Sequence, residues 1–133
     1  MGLIPWSPLA GGLLAGALEK RTEGRHTREG FDGIVDKHRA SLQAYEELCR
    51  DLGEAPAVVG LAWLMHNPSV TAPIIGARSV EQLEGSLGAL DIPMTPELWH
   101  EVAALSPQPP PATDRNEERS AFNYNTTLAK PAK

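Results

Sequence analysis

The chain has few of the residues on which several kinds of site depend. Cys49 is the only cysteine in 133 residues, which excludes a disulfide framework or a cysteine-based zinc site within one chain. Aromatic residues make up only 5%, and the formal net charge is −5. The sequence therefore offers neither the stacking side chains nor the basic surface that nucleic-acid binding requires, and we expect no nucleic-acid partner.

Long apolar runs are also missing. No run approaches the roughly 20 residues that span a bilayer, and the first apolar segment lacks the pattern of a secretory leader. The four histidines show no paired spacing suited to a metal. These absences predict a cytoplasmic chain without a membrane partner or a metal, and the length predicts one domain with its own core.

A glycine-rich turn lies at the front of the chain. Residues 3–7 are predicted to form a strand, and residues 8–16 form the turn, which contains three glycines. Glycine lets backbone N–H groups approach a ligand closely, and Ser7 adds a hydroxyl group. The pattern favours a phosphate-binding turn. A simple turn is the alternative, because glycine and proline mark turns in any protein.

The rest of the pattern predicts a charged loop, four helices and a second strand. The loop is expected over 19–37, the helices over 38–52 and after the start signals Pro56, Ser79 and Thr95, and the strand over 70–75. The apolar run 70–75 is typical of a strand buried on both faces of a parallel sheet. Cys49 is expected to be a buried apolar residue of the first helix, with a reactive thiol as the alternative.

Two blocks of sequence resemble the aldo-keto reductase family. Residues 5–16 (PWSPLAGGLLAG) resemble the signature of its seventh strand, and residues 55–64 (APAVVGLAWL) with 74–83 (IIGARSVEQL) resemble its final helix–strand–helix signature. The family folds as (β/α)8 barrels, which need about 250 residues. The resemblance implies an α/β fold over residues 2–106, namely a partial TIM barrel made of the last two β/α units and an extra C-terminal helix. A proline-rich, polar tail is expected over 107–133.

The resemblance also implies a function. Members of the family reduce carbonyl compounds with NADPH, using an Asp, a Tyr, a Lys and a His from earlier strands, and no residue here matches those motifs. The chain is expected to be the cofactor-binding C-terminal part of an enzyme that acts on a small aldehyde or ketone, and to be inactive alone. Two alternatives remain: a non-catalytic nucleotide-binding or self-associating module, and a truncated gene product without independent function. Self-association is expected through the exposed edges that a two-stranded sheet would leave.

The resemblance assigns nine residues to an NADP(H) site. They are Trp6, Ser7, Leu9, Gly11, Leu13, Gly76, Arg78, Gln82 and Ser86. Trp6 would stack on the nicotinamide ring, although a core tryptophan is the alternative. Four residues of the turn region, from Ser7 to Leu13, would line the pyrophosphate.

Arg78 is the candidate for NADPH selectivity. A guanidinium just before a helix suits the adenosine 2′-phosphate by charge and by helix dipole, while a solvated loop arginine is the alternative. Gln82 would help to hold the same phosphate, and it also completes a capping-box pattern with Ser79. Gly85-Ser86 stands where members often carry Glu-Asn, so weakened contacts to the adenine are expected.

Overall fold

The computed structural model of this chain describes residues 2–19 and 29–106. Within these ranges it contains five α-helices and two short 3₁₀ turns. The helices are α1 (Phe31–Lys37), α2 (Arg39–Leu52), α3 (Pro56–Met65), α4 (Val80–Leu87) and α5 (Pro96–Ala104), and the 3₁₀ turns are Ala10–Gly12 and Gly88–Leu90. Over these same ranges, no helix has the length and apolar character needed to cross a bilayer. The tail predicted over 107–133 lies outside the described residues.

The helices predicted from local signals are confirmed. α2 ends at Leu52, and Gly53 then takes the left-handed backbone (φ 73°) that closes many helices. Pro56 is the first residue of α3, a position where the N–H that proline lacks would have no partner within the helix. Thr95 caps α5, because its hydroxyl oxygen accepts a hydrogen bond from the Leu98 N–H at 3.3 Å.

The segment predicted as one long loop contains a helix. Residues 20–28 of that segment lie outside the described residues, but Phe31–Lys37 forms α1, so the loop prediction was wrong there. Phe31 and Val35 are both buried and pack against Leu42 of α2. This apolar pair, four residues apart, gives α1 a buried face that the surrounding charges conceal in the sequence.

The two predicted strands are replaced by isolated contacts. In the described part of the chain, the segments 3–7 and 70–75 run parallel but form no continuous ladder. Two isolated bridges pair Leu3 with Val70 and Trp6 with Ile74. The prediction of two strands was therefore wrong. Of the expected partial barrel, the described residues contain the helices and this parallel contact but no strand.

Two prolines explain why the ladder is interrupted. In a parallel ladder, Leu3 bonds to the residues on either side of Val70, and both bonds are present at 2.8 Å. The next two bonds of that register would need the N–H groups of Pro5 and Pro73, which proline lacks. Ile74 donates to the Pro5 carbonyl oxygen instead, at 2.9 Å, which shifts the register by one residue.

The prediction that residues 70–75 are buried on both faces was also wrong. Ile74 is 56% exposed, because in the described residues this segment pairs only with residues 3–7. Other large apolar side chains of the two segments and of the α4 region are exposed as well, among them Leu3, Ile4, Val80, Leu87 and Leu90. Self-association through this surface stays a prediction.

Two apolar clusters hold the helices together. The larger cluster joins α2, α3 and the segment before α5 through Tyr45, Cys49, Val59, Leu61, Ala62, Ala89 and Met94. The smaller cluster joins α1, α2 and the residues after the glycine-rich turn through Ala17, Phe31, Val35 and Leu42. Leu14 packs against both clusters, so the glycine-rich turn is fixed between them.

Cys49 is fully buried in the larger cluster, which confirms its interpretation as an apolar residue. Burial raises the pKa of its thiol to about 11, so little thiolate exists at neutral pH. Burial also raises the pKa of Tyr45, whose hydroxyl donates a hydrogen bond to the Pro56 carbonyl oxygen. Both side chains therefore act in packing rather than in proton transfer.

A reciprocal tryptophan pair joins α5 to α3. The Trp63 Nε1–H donates to the Trp99 carbonyl oxygen at 3.0 Å, and the Trp99 Nε1–H donates to the Trp63 carbonyl oxygen at 3.1 Å. The two rings are stacked, with centroids 5.6 Å apart and planes inclined by 11°. Because the polar N–H of each ring is satisfied, the pair contributes its apolar area without an unpaired donor.

Gly60 of α3 lies against side chains of α2 and of the glycine-rich turn. A Cβ there would lie 2.9 Å from the Tyr45 hydroxyl oxygen and 3.2 Å from Cδ2 of Leu9. Gly60→Ala is expected to lower the free energy of unfolding by about 1–2 kcal/mol, because this crowding outweighs the better helix propensity of alanine. The matched change Gly33→Ala in α1, where a Cβ meets nothing within 4 Å, is expected to raise it by up to about 1 kcal/mol. Urea unfolding measures both changes, and shifts in the same direction would contradict the close packing at Gly60.

Candidate functional site

A cleft of about 630 Å³ opens between the glycine-rich turn and α4. Its volume falls within the roughly 300–1,000 Å³ that small-molecule sites occupy. The lining residues come from the segment 6–15, the first turn of α3 with Leu61, the segment 74–78, and α4. The two sequence blocks that resemble the aldo-keto reductases therefore face each other across one space.

The glycine-rich turn has an unusual backbone. Ser7 and Ala10 have φ values of 52° and 51°, in the left-handed region that residues other than glycine rarely adopt, and Gly11 and Gly12 follow at 69° and 109°. The Ser7 hydroxyl oxygen accepts a hydrogen bond from the Gly11 N–H at 3.2 Å, which holds the first bend. Strained backbone of this kind persists where the surroundings fix it, and it clusters at binding sites.

The opposite wall is the start of α4. The Ser79 side chain caps the helix, because its hydroxyl oxygen accepts a hydrogen bond from the Gln82 N–H at 3.2 Å. The Gln82 side-chain oxygen in turn accepts from the Arg78 N–H at 2.9 Å. The capping-box pattern is therefore present in a variant form that reaches one residue further back, and it fixes the backbone of Arg78 beside the positive end of the helix dipole.

Arg78 gives the cleft its charge. It is the one charged residue among the described residues that line the cleft. Within the ranges 2–19 and 29–106, its guanidinium pairs with no carboxylate, since the ion pairs there involve Arg39 and Arg50. A chain with a net charge of −5 thus presents an exposed cation at its cleft, which favours an anionic ligand.

The cleft brings together eight of the nine residues predicted for the site. These are Trp6, Ser7, Leu9, Gly11, Gly76, Arg78, Gln82 and Ser86. Leu13 follows the 3₁₀ turn and packs against the smaller cluster instead, away from the cleft lining. Direct contact of any of the nine with a cofactor stays a prediction.

Two of these residues have surroundings that bear on their predicted roles. Trp6 is 76% exposed, so it is not a core tryptophan within the described residues. The Ser86 hydroxyl donates to the Gln82 carbonyl oxygen at 2.8 Å within α4. Because this hydroxyl proton is used within the helix, Ser86 has only its oxygen lone pairs left to accept a hydrogen bond from a ligand.

Sequence reasoning missed the wall that α3 supplies. Ala57 and Val58, in the first turn of that helix, line the cleft between the glycine-rich turn and α4. The sequence did contain a sign of this wall, because α3 is apolar nearly all round. Such a helix has apolar side chains on more faces than α2 alone can cover. This face makes one part of the cleft apolar.

The described part of the cleft lacks a group suited to proton transfer. No histidine, cysteine, lysine, tyrosine or carboxylate is among its described lining residues. Across the same described ranges, no group of three or more metal-ligating side chains comes together. The described lining thus combines one cation with apolar surface, which suits a partly apolar anion.

Comparison with known proteins identifies relatives of this chain. Residues 1–107 match the profile of the Aldo/keto reductase family. The chain is similar to the uncharacterized oxidoreductase YrpG of Bacillus subtilis, with 43% identity over 82% of this chain and 33% of that protein. It is also similar to the norsolorinic acid reductase stcV of Emericella nidulans, with 31% identity over 80% of this chain and 27% of that protein. A probable voltage-gated potassium channel subunit beta of Oryza sativa is 31% identical over 86% of this chain and 38% of its own length.

The chain thus spans about one third of the length of the curated relatives it matches. The match nevertheless covers both blocks that form the cleft, and it extends over most of the chain. The chain belongs to the aldo/keto reductase family.

Proposed function

We propose that residues 2–106 form the NADP(H)-binding region of an aldo/keto reductase whose intact form reduces an aldehyde or ketone. Members of the family generally use nicotinamide cofactors. The observation that carries the proposal is the placement of a left-handed, glycine-rich turn opposite Arg78 across one cleft. Each of the two features suits a phosphate group, and a dinucleotide carries phosphates at separate points.

The chemistry of the lining fits the parts of NADPH. The glycine-rich turn suits the pyrophosphate because its glycines carry no side chain and let a phosphate approach the backbone closely, although the N–H groups of residues 10–15 already donate to acceptors within the turn. Arg78 and the start of α4 suit the adenosine 2′-phosphate, because a guanidinium can bind phosphate with two parallel hydrogen bonds. The exposed face of Trp6 suits the flat nicotinamide ring.

The residues that line the cleft determine which parts of the proposed reaction this chain can perform. NADPH, when bound, supplies a hydride for the carbonyl carbon. The residues of this chain bind and orient the cofactor, and Trp6 shields one face of its ring. The carbonyl oxygen also needs a proton, and the described lining contains no side chain that can donate one at neutral pH. That donor belongs to a part of the enzyme outside this cleft, so the chain alone is expected to bind without turnover.

Isothermal titration of the full chain with NADPH and with NADH tests the proposal. We expect one NADPH per chain, bound more tightly than NADH because of the 2′-phosphate. Mixing the chain with NADPH and 4-nitrobenzaldehyde is expected to leave the absorbance of NADPH unchanged. Equal binding of both cofactors would contradict the role of Arg78, absence of NADPH binding would overturn the site, and oxidation of NADPH by the aldehyde would overturn the predicted inactivity.

A further inference from the structure

α2 carries a buried carboxylate in the middle of its apolar face. Its buried residues are Leu42, Tyr45, Glu46 and Cys49, which are spaced as one helical stripe. Glu46 is 5% exposed and is the one buried charged residue among the described residues. An ionised carboxylate is unfavourable in such a place unless hydrogen bonds compensate for the lost water. An apolar residue would complete the stripe, so the carboxylate points to a specific partner.

The partner is the backbone that leaves the glycine-rich turn. Oε1 of Glu46 accepts a hydrogen bond from the Leu18 N–H at 2.9 Å. The residue before it, Ala17, is fully buried in the smaller cluster, and Glu46 itself is 5% exposed, so water has little access to the carboxylate. Hydrogen bonds to charged acceptors are about twice as strong as neutral ones.

The bond closes the back of the glycine-rich turn. The front is held by the contacts of residues 3–6 with residues 69–74, including the bond from the Ile74 N–H to the Pro5 carbonyl oxygen. Between the two ends, Ser7 and Ala10 hold left-handed backbone that is strained in residues other than glycine. The carboxylate on α2 thus bonds to the chain just after the residues that form this wall of the cleft.

We propose that Glu46 is a positioning residue that holds the glycine-rich turn in its ligand-binding conformation. The proposal rests on the function proposed above for the ligand itself, a dinucleotide phosphate. Its effect is pre-organisation: a turn that is already fixed loses less conformational entropy when the phosphate binds. A residue that served only the core of α2 would have no such effect on the turn.

Hydrogen exchange without any nucleotide tests the first half of this proposal. Glu46→Met keeps the size and helix propensity of the side chain but removes the acceptor, whereas Glu46→Gln keeps an acceptor oxygen. We expect the Leu18 amide to exchange about tenfold faster or more in Glu46→Met, and far less so in Glu46→Gln. Amides of α3 are expected to be unchanged in both. The exposed neighbour Glu47, changed to Met, is the matched control and is expected to have no effect at Leu18.

Titration with NADPH tests the second half. We expect Glu46→Met to weaken NADPH binding by about tenfold, while Glu46→Gln and Glu47→Met bind like the unmodified chain. Unchanged exchange at Leu18, or equally faster exchange throughout the chain, overturns the positioning role. Faster exchange at Leu18 with unchanged NADPH affinity also overturns it, since the turn would then bind without being held. An unmodified chain that binds no NADPH refutes the proposed function instead, and the exchange pattern still decides whether Glu46 holds the turn.

Discussion

Replacing Trp99 with alanine is expected to lower the free energy of unfolding by about 3 kcal/mol, near the low end for large aromatic residues because the side chain is half-buried. The change removes the ring stacked on Trp63 and the indole donor to the Trp63 carbonyl oxygen. That carbonyl lies in the last turn of α3, where a helix has no further N–H groups of its own to offer. α5 would then lose its stacked ring and one of its two indole hydrogen bonds to α3.

Trp99→Phe separates the two contributions. Phenylalanine keeps an aromatic ring for the stack but has no N–H, so we expect a loss of only about 1 kcal/mol. Trp6→Ala is the control, because the exposed side chain of Trp6 contributes little to the core and its loss is expected to change stability by less than about 0.5 kcal/mol. Urea unfolding followed by far-ultraviolet circular dichroism measures all three. If Trp99→Ala costs no more than Trp99→Phe, the stack does not hold α5 in place.

Arg78→Met is expected to weaken NADPH binding by about 10- to 100-fold and to leave NADH binding nearly unchanged. The guanidinium is the one charge in the described cleft lining, and within that part of the chain it is not neutralised by a carboxylate. The two cofactors differ only in the 2′-phosphate, so the difference between their losses isolates that contact. The backbone bond from the Arg78 N–H to Gln82 does not depend on the side chain, so the local fold is preserved.

Two further variants sharpen the interpretation of Arg78. Arg78→Lys keeps the charge but loses the planar, two-pronged donor, and an intermediate loss is expected. Arg39→Met removes an arginine of α2 that pairs with Asp36 and does not line the cleft, and it is expected to have no effect on either cofactor. Equal weakening of NADPH and NADH binding in Arg78→Met would mean that the residue shapes the cleft rather than selecting the phosphate. Isothermal titration gives all of these affinities.

The parts of the fold that sequence predicted well are those set by local chemistry. The start of α3 at Pro56 and the caps at Ser79 and Thr95 depend on residues within one helical turn, so the sequence alone carries them. The residues of two cleft walls were also predicted, because the glycine-rich turn and the segment around Arg78 are each short, continuous stretches of sequence. Their placement opposite each other came from the family resemblance rather than from any periodicity.

The features that the sequence did not predict depend on contacts between residues far apart in the chain, or on a backbone N–H group that is missing or was not considered. α1 is only seven residues long, and its buried pair Phe31 and Val35 becomes visible only once α2 is there to cover it. The broken ladder was predictable in principle, because Pro5 and Pro73 cannot donate, but their effect requires knowing the register. Glu46 was missed because a helical pattern treats a charge as solvent-facing, and only the Leu18 N–H explains its burial.

The scarcity of aromatic residues gives the tryptophans an unexpected experimental use. Trp63 and Trp99 are stacked on each other at the α3–α5 contact, whereas Trp6 stands 76% exposed in the cleft wall. The chain contains three tryptophans, so we expect two kinds of tryptophan emission. One comes from the solvent-exposed Trp6 and the other from the stacked pair Trp63 and Trp99. A soluble quencher is expected to reach Trp6 first, so a ligand bound at the proposed site would lower the accessible fraction of the emission, while the shielded fraction follows unfolding. One unlabelled sample can thus report occupancy and integrity at the same time.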